Sequence, residues 1–334
     1  VGGSLSVVVS GKKAEAISGD RNTLTANGVN GINISALTDE EIYSILASIA
    51  SAEKSKVNVG GTLAVLITDS VTTASMGKNT TATAAKGAIN VTAHNSTYMM
   101  PLDLAFTAQK SSVGVNGIII VDIYNNEINA FVGEGSTLNA AKDILVSATA
   151  DNDNVTAAAS LGGGGGGTNI SGTVLVTVGN TKTNAVVGNQ NYDIDAPAET
   201  KLTAGDSIGV IADIDTEQYI VGGDMKISIA SGTTGIGASV ITSVFENIAK
   251  ALVGNNVTLI ALAVPQTIDQ KSGQTSGISV PGEDKDNKRH GIIVSATNHQ
   301  YLLQIGAMMN AGAGSGIKAG TNVVVNNNKE KASV

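Results

Sequence analysis

Apolar residues alternate with polar or small ones along most of this chain, in runs that recur at a regular spacing. The recurring block opens with Val or Ile, carries an apolar pair two residues apart, passes a polar stretch and ends on Ala. Its copies start at Val1, Val59, Val115, Ile170, Ile236 and Ile317. Six residues into each copy stand Val7, Val65, Val121, Val176, Thr242 and Val323; fifteen in stand Ala16, Ala74, Ala130, Ala185, Ala251 and Ala332. Period-two alternation is the signature of a strand with two distinct faces. The polar stretches Gly11-Lys12-Lys13, Asn125-Asn126-Glu127, Gly179-Asn180-Thr181 and Asn326-Asn327-Asn328 have turn composition and predict breaks between short strands.

The first five blocks share two further marks. Glycine follows the closing Ala by three residues, at Gly19, Gly77, Gly133, Gly188 and Gly254, and an apolar-x-Ala anchor follows later, closing on Ala36, Ala93, Ala148, Ala212 and Ala296. From each anchor Ala to the next block-ending Ala the spacing is 38, 37, 37, 39 and 36 residues, whereas successive block starts lie 58, 56, 55, 66 and 81 apart. The length variation is therefore confined between the glycine and the anchor. It swells at about 189–205 and again at about 265–290. Fixed-period self-similarity defines a solenoid whose units stack and cover one another, with insertions pushed out as loops. The fold expected is an all-β, right-handed parallel β-helix of about six units of roughly 55–80 residues, forming one continuous body over residues 1–334. At about 20 residues per coil, each unit predicts three coils, and some seventeen coils give a rod near 80 Å.

Two segments are harder to place. Leu37 to Lys56 opens with a Thr38-x-x-Glu41 capping box and continues in good helix formers, which favours a helix. The repeat register adds no length there and favours a strand, because propensity yields to tertiary context. Gly162 to Gly167 predicts a loop or a tight corner.

Composition narrows the class. Aromatics are only 3% of 334 residues, which suits thin stacked layers rather than thick globular cores. Cysteine is absent, so disulfides and thiolate metal sites are excluded. The net charge of -8, with only 14% charged residues, provides no basic footprint for nucleic acid or anionic lipid. No apolar run approaches the roughly 18 residues of a membrane helix. Val1-Gly2-Gly3 begins in mid-pattern, as a segment of a longer protein would.

The stretch Ala130-Phe131-Val132-Gly133-Glu134-Gly135-Ser136-Thr137-Leu138-Asn139-Ala140, followed by Asp143-Ile144-Leu145-Val146-Ser147-Ala148-Thr149-Ala150, carries a family likeness. Ala185-Val186-Val187-Gly188 and Ala251-Leu252-Val253-Gly254-Asn255-Asn256-Val257-Thr258-Leu259 repeat it. With the units aligned, the chain resembles the filamentous-haemagglutinin-like adhesins of Gram-negative bacteria, most of all the large leukotoxin-type filamentous adhesins. That resemblance implies a secreted, surface-exposed parallel β-helix, with its outer-membrane transporter or anchor in other parts of the protein. It transfers no functional residues, and the long fifth-unit insertion departs from the pattern.

Chemistry is sparse. Gly205-Asp206-Ser207-Ile208-Gly209 matches a nucleophile elbow, but that motif needs a strand-turn-helix setting, and here it runs into a repeat anchor. His94, His290 and His299 show no zinc-helix spacing, and no G-G-x-G-x-D calcium nonapeptide occurs. The acid pairs Asp193-Asp195 and Asp213-Asp215 are assigned to variable loops or turns. No catalytic, cofactor or metal residue is therefore expected. The candidate binding loop is the fifth-unit insertion, with Gln266, Asp284, Lys285, Asp286, Lys288 and Arg289 as its polar and charged members. Three functions stay open: a structural shaft that presents a tip elsewhere, a shaft that itself binds host cells or glycans, and a β-helix polysaccharide-degrading enzyme. Cut solenoid ends are raw sheet edges, so end-to-end self-association is expected as well.

Overall fold

The computed structural model describes residues 1–52, 57–109, 113–164, 167–189, 198–228, 234–262, 277–281, 288–312 and 314–334. Every regular element among these residues is a strand, and none is a helix. Five rungs each contain a long strand, a short strand and a second long strand. They are β1 (Gly2–Ser18), β2 (Thr23–Ala26) and β3 (Ile32–Ala52); β4 (Val57–Met76), β5 (Thr81–Ala84) and β6 (Ile89–Gln109); β7 (Val113–Val132), β8 (Thr137–Ala140) and β9 (Ile144–Gly164). The fourth is β10 (Thr168–Val187), β11 (Thr200–Ala204) and β12 (Ile208–Ser228), and the fifth β13 (Thr234–Val253), β14 (Val257–Ala261) and β15 (Ile292–Gly312). A sixth begins with β16 (Ser315–Ser333).

All ladders are parallel. The first long strands form one sheet in the order β1-β4-β7-β10-β13-β16, the short strands a second, and β3-β6-β9-β12-β15 a third. The stack is a parallel β-helix, and its register is the repeat register: Val7 pairs Val65, Val65 pairs Val121, Ala130 pairs Ala185, and Ala148 pairs Ala212.

Two expectations need correction. Each unit is one rung rather than three coils, so five intervals of about 4.8 Å give a stack about 24 Å high. The rung is wide instead: strands of 20 and 21 residues reach about 65 Å and make a flat blade with a three-sided end. The polar stretches taken for turns lie in mid-strand, since Asn125 and Asn126 belong to β7 and Gly179 and Asn180 to β10. Asn126 bonds both across the interior and along its own sheet. Its Nδ2 donates to Asn152 Oδ1 on the facing sheet at 2.6 Å, and Ser70 Oγ, on the neighbouring rung of the same sheet, donates to Asn126 Oδ1 at 2.7 Å. Leu37–Ala52 is strand, as the register required.

The interior has zones. The three-sided end is a small-residue core of Ala74, Met76, Leu138, Ile144, Val146 and their ladder mates. A polar layer of Thr, Ser and Asn follows, and then a second apolar cluster in the blade that includes Leu66, Ile120, Tyr124, Leu175 and Phe245. The repeat's apolar pair, Val65 and Ile67 in the second rung, faces outward, while Leu66 between them is buried. At the first corner the recurrent glycine is set by rung-to-rung approach: a Cβ on Gly77 would lie 2.5 Å from the Gly19 carbonyl carbon. Gly162 to Gly164, expected in a loop, extend β9, and a Cβ on Gly162 would meet Asn169 at 2.1 Å.

Candidate functional site

The fifth-rung insertion leaves the shaft after β14 and returns at β15, at the second corner of the three-sided end. Gln266, Asp284, Lys285 and Asp286 lie outside the described residues. Lys288 and Arg289 stand at its root, where the backbones of Ile278 and Arg289 exchange two 2.9 Å hydrogen bonds in an antiparallel bridge. The insertion thus returns to the shaft as a short two-stranded strap.

Three contacts fasten the strap to the fourth rung. Ile278, 5% exposed, sits over Gly209, where an added Cβ would come within 2.8 Å of Ile278 Cδ1. The ladder mates of Gly209 are Leu145 and Ile293, so the fourth rung uses glycine where its neighbours carry a large side chain, and the space admits Ile278. His290 Nδ1 lies 2.8 Å from Asp206 Oδ1. Gly291 N donates to Ser207 Oγ at 3.3 Å. Asp143, on the rung below, accepts from Ser207 N at 3.1 Å. Burial raises its carboxyl pKa and Asp206 adds to this, against the Ser207 and Gly277 amides and His290. Asp206 itself is 1% exposed.

The nucleophile-elbow match falls in this corner. Ser207 is fully buried, and its hydroxyl accepts from a backbone amide of the strap. The motif's turn joins strand to strand. The serine anchors the corner; it is not an exposed nucleophile. No periodicity relates His290 to Asp206, 84 residues away; the signal in the sequence was the glycine at 209, where the neighbouring rungs carry Leu145 and Ile293.

A second cluster lies outward on β9 and β12. Asp213 and Asp215 stand in mid-strand, not in a loop or turn, and Asp215 pairs in register with Asp151 and with His299; Asp193 and Asp195 lie outside the described residues. Burial raises Asp213, Asp215 and Asp153, and mutual repulsion among the acids adds to it; His299 opposes the rise at Asp215. His94 Nδ1 lies 2.8 Å from Thr149 Oγ1, and its Nε2 is 3.8 Å from Asp151. Among the described residues no group of three or more His, Cys, Asp or Glu is arranged to hold a metal. Comparison with family models, curated proteins and solved structures returned no match to this chain.

Proposed function

We propose that this chain is a structural shaft segment of a large secreted or surface-anchored bacterial filamentous adhesin, and that its fifth-rung strap is an attachment element. One observation carries the reading. Five rungs keep residue-for-residue register, while the large excess of length in the fifth is exported to a strap that is fastened to the shaft at its root. A stack of this kind provides extension, because its backbone hydrogen bonds run along its axis. A strap fixed by Ile278, His290 and Gly291 fastens the root of the insertion to the fourth rung.

The partner is a host-cell surface or glycan receptor, or another bacterium, with transporter and anchor supplied by further parts of the protein. An acidic outer strip and a net charge of -8 disfavour nucleic acid as the partner. The test is binding of the purified chain to host cells beside a version lacking Gln266 to Arg289. Binding that disappears with the deletion supports the proposal; equal binding by both removes the strap from it. Binding by neither leaves the segment a spacer.

A further inference from the structure

We propose that the first long sheet pairs face to face with the same sheet of a second copy, so that two shafts lie side by side and parallel. The pairing surface is the outer face of that sheet over Val113 to Ile123 and their ladder mates in all six rungs. In the third rung the outward positions are Val113, Val115, Gly117, Ile119, Val121 and Ile123. The other rungs keep the pattern, with Thr or Ser at some positions, and no outward residue in the span is charged. Charges begin just past it, with Asp69 and Glu246 in one ladder and Lys13, Glu127 and Lys182 in the next outward one.

The relief of this face sets the register. One outward ladder is a floor of small residues: Gly3, Gly61, Gly117, Gly172, Ala238 and Ala319. It runs along the shaft between two ladders of branched side chains, and over Gly3, Gly61 and Gly117 it opens a trough of about 520 Å³. The shaft itself has room for more at two of these glycines. A Cβ on Gly117 would lie 3.9 Å from its nearest neighbour and one on Gly172 3.7 Å, which is ordinary contact. Beside the floor stands a ridge: Leu5, Leu63, Ile119, Val174, Val240 and Thr321. Ile119 is 44% exposed. Floor and ridge are matched in size rung by rung. Gly3, Gly61 and Gly117 share their rungs with Leu5, Leu63 and Ile119, whereas Ala238 and Ala319 share theirs with the smaller Val240 and Thr321. Gly172 stands beside Val174. Close packing relates those sizes if each ridge residue sits on the floor of its own rung, and a second copy at equal height supplies that contact.

A two-fold axis parallel to the shaft and passing over Ile118 produces it. That axis sets Gly117 against Ile119 of the second copy, Val115 against Val121 and Val113 against Ile123, with the reverse of each. Ile118 is also the midpoint of the uncharged span, so one operation seats ridge on floor, superposes the two apolar spans and leaves the charged ladders outside. Eleven residues across six strands cover about 33 Å by about 24 Å, or about 800 Å² from each copy. A stable, specific pair of proteins buries about that much per partner. The opposite sheet has no such relief, because Leu104, 54% exposed, interrupts its small ladder of Ala47, Ala159, Gly223 and Ala307.

The experiment combines sedimentation with one spin label per chain. The chain contains no cysteine, so Lys182→Cys provides a single labelling site. In the fourth rung the axis passes over Thr173, the ladder mate of Ile118, and Lys182 lies nine residues beyond it. The two labels of a pair should therefore be about 60 Å apart, whereas labels on copies stacked end to end through β16 and β1 are about 29 Å apart. Sedimentation is expected to show pairs that dissociate on dilution, and the labels to show the longer separation. Gly117→Val with Gly172→Val fills the floor and should weaken pairing at least tenfold without loss of the strand signal in circular dichroism. Gly117→Ala with Gly172→Ala, which copies Ala238, should weaken it less. If the valine pair unfolds the chain, the label separation in the otherwise unaltered chain decides. A chain that stays single at every concentration, one that shows the shorter separation alone, or one that pairs as tightly with both valines as without them overturns the proposal. Deleting Gln266 to Arg289 should leave pairing unchanged, so the outcome is independent of the receptor proposal.

Discussion

Asp122 shows what a single buried position costs this fold. It is fully buried in β7, accepts from Thr156 Oγ1 at 2.8 Å, and faces inward between two sheets. Burial pushes its carboxyl up to about 7, against the opposing hydrogen bonds of Thr156 and Asn154. Asp103, on the facing sheet, is pushed to about 6 by the same cause. Because the folded pKa lies above the ordinary 3.8, the native state binds more protons than the unfolded chain between about pH 4 and 7. Stability is then greatest below that window and falls as pH rises through it, by up to about 4 kcal/mol for Asp122. Denaturant midpoints measured from pH 4 to 8 should decline, and Asp122→Asn should flatten most of the slope. A slope unchanged by that substitution would place the titration elsewhere.

At the scale of the strand, the long sheets alternate bulk from rung to rung. Tyr124, Gly179 and Phe245 stand in one ladder, and a Cβ on Gly179 would meet the Tyr124 ring at 2.3 Å. The glycine makes room for the two largest buried side chains of the blade. Gly179→Leu should therefore destabilise by roughly 3 kcal/mol or more, and adding Tyr124→Ala should recover part of the loss; strictly additive effects in a double-mutant cycle would contradict this packing. The same ladder shows why the strands were only partly legible in the sequence. Period-two alternation, the block starts and the anchors specified the register, because identical residues stack on one another. The length of each strand was not legible. Asn125-Asn126 and Gly179-Asn180 have turn composition, and only their partners on the facing sheet, some 26 residues away for Asn126 and Asn152, make them strand. Leu37 to Ala52 is the converse case: a capping box in sequence, but a strand because β6 pairs with every residue of it. The strap was legible as extra length. Its fastening was not, since His290–Asp206 joins residues that no periodicity relates.

The whole molecule is a stack whose first and last long strands have a partner on one side only: β1 and β3 at one end, β15 and β16 at the other. Such edges are templates for a further strand. Here they are long, and because every rung repeats one register, the top of one molecule matches the bottom of another. Leu5, Val7 and Val9 on β1 would lie under Thr321, Val323 and Val325 on β16 in the same outward ladders that run through the stack. Weak protection comes from Lys329 and Lys331 near the end of β16, which would face Lys13 and Glu15 of the next copy rather than a uniform like charge. The isolated chain is accordingly expected to form linear oligomers whose mass rises with concentration. Val324→Pro together with Asn326→Pro in β16, at the alternate positions whose N–H groups point away from β13, removes two backbone donors from the open edge and should shift the sedimentation profile toward monomer. A monomer at all concentrations, or oligomers indifferent to the prolines, would show that these edges do not pair.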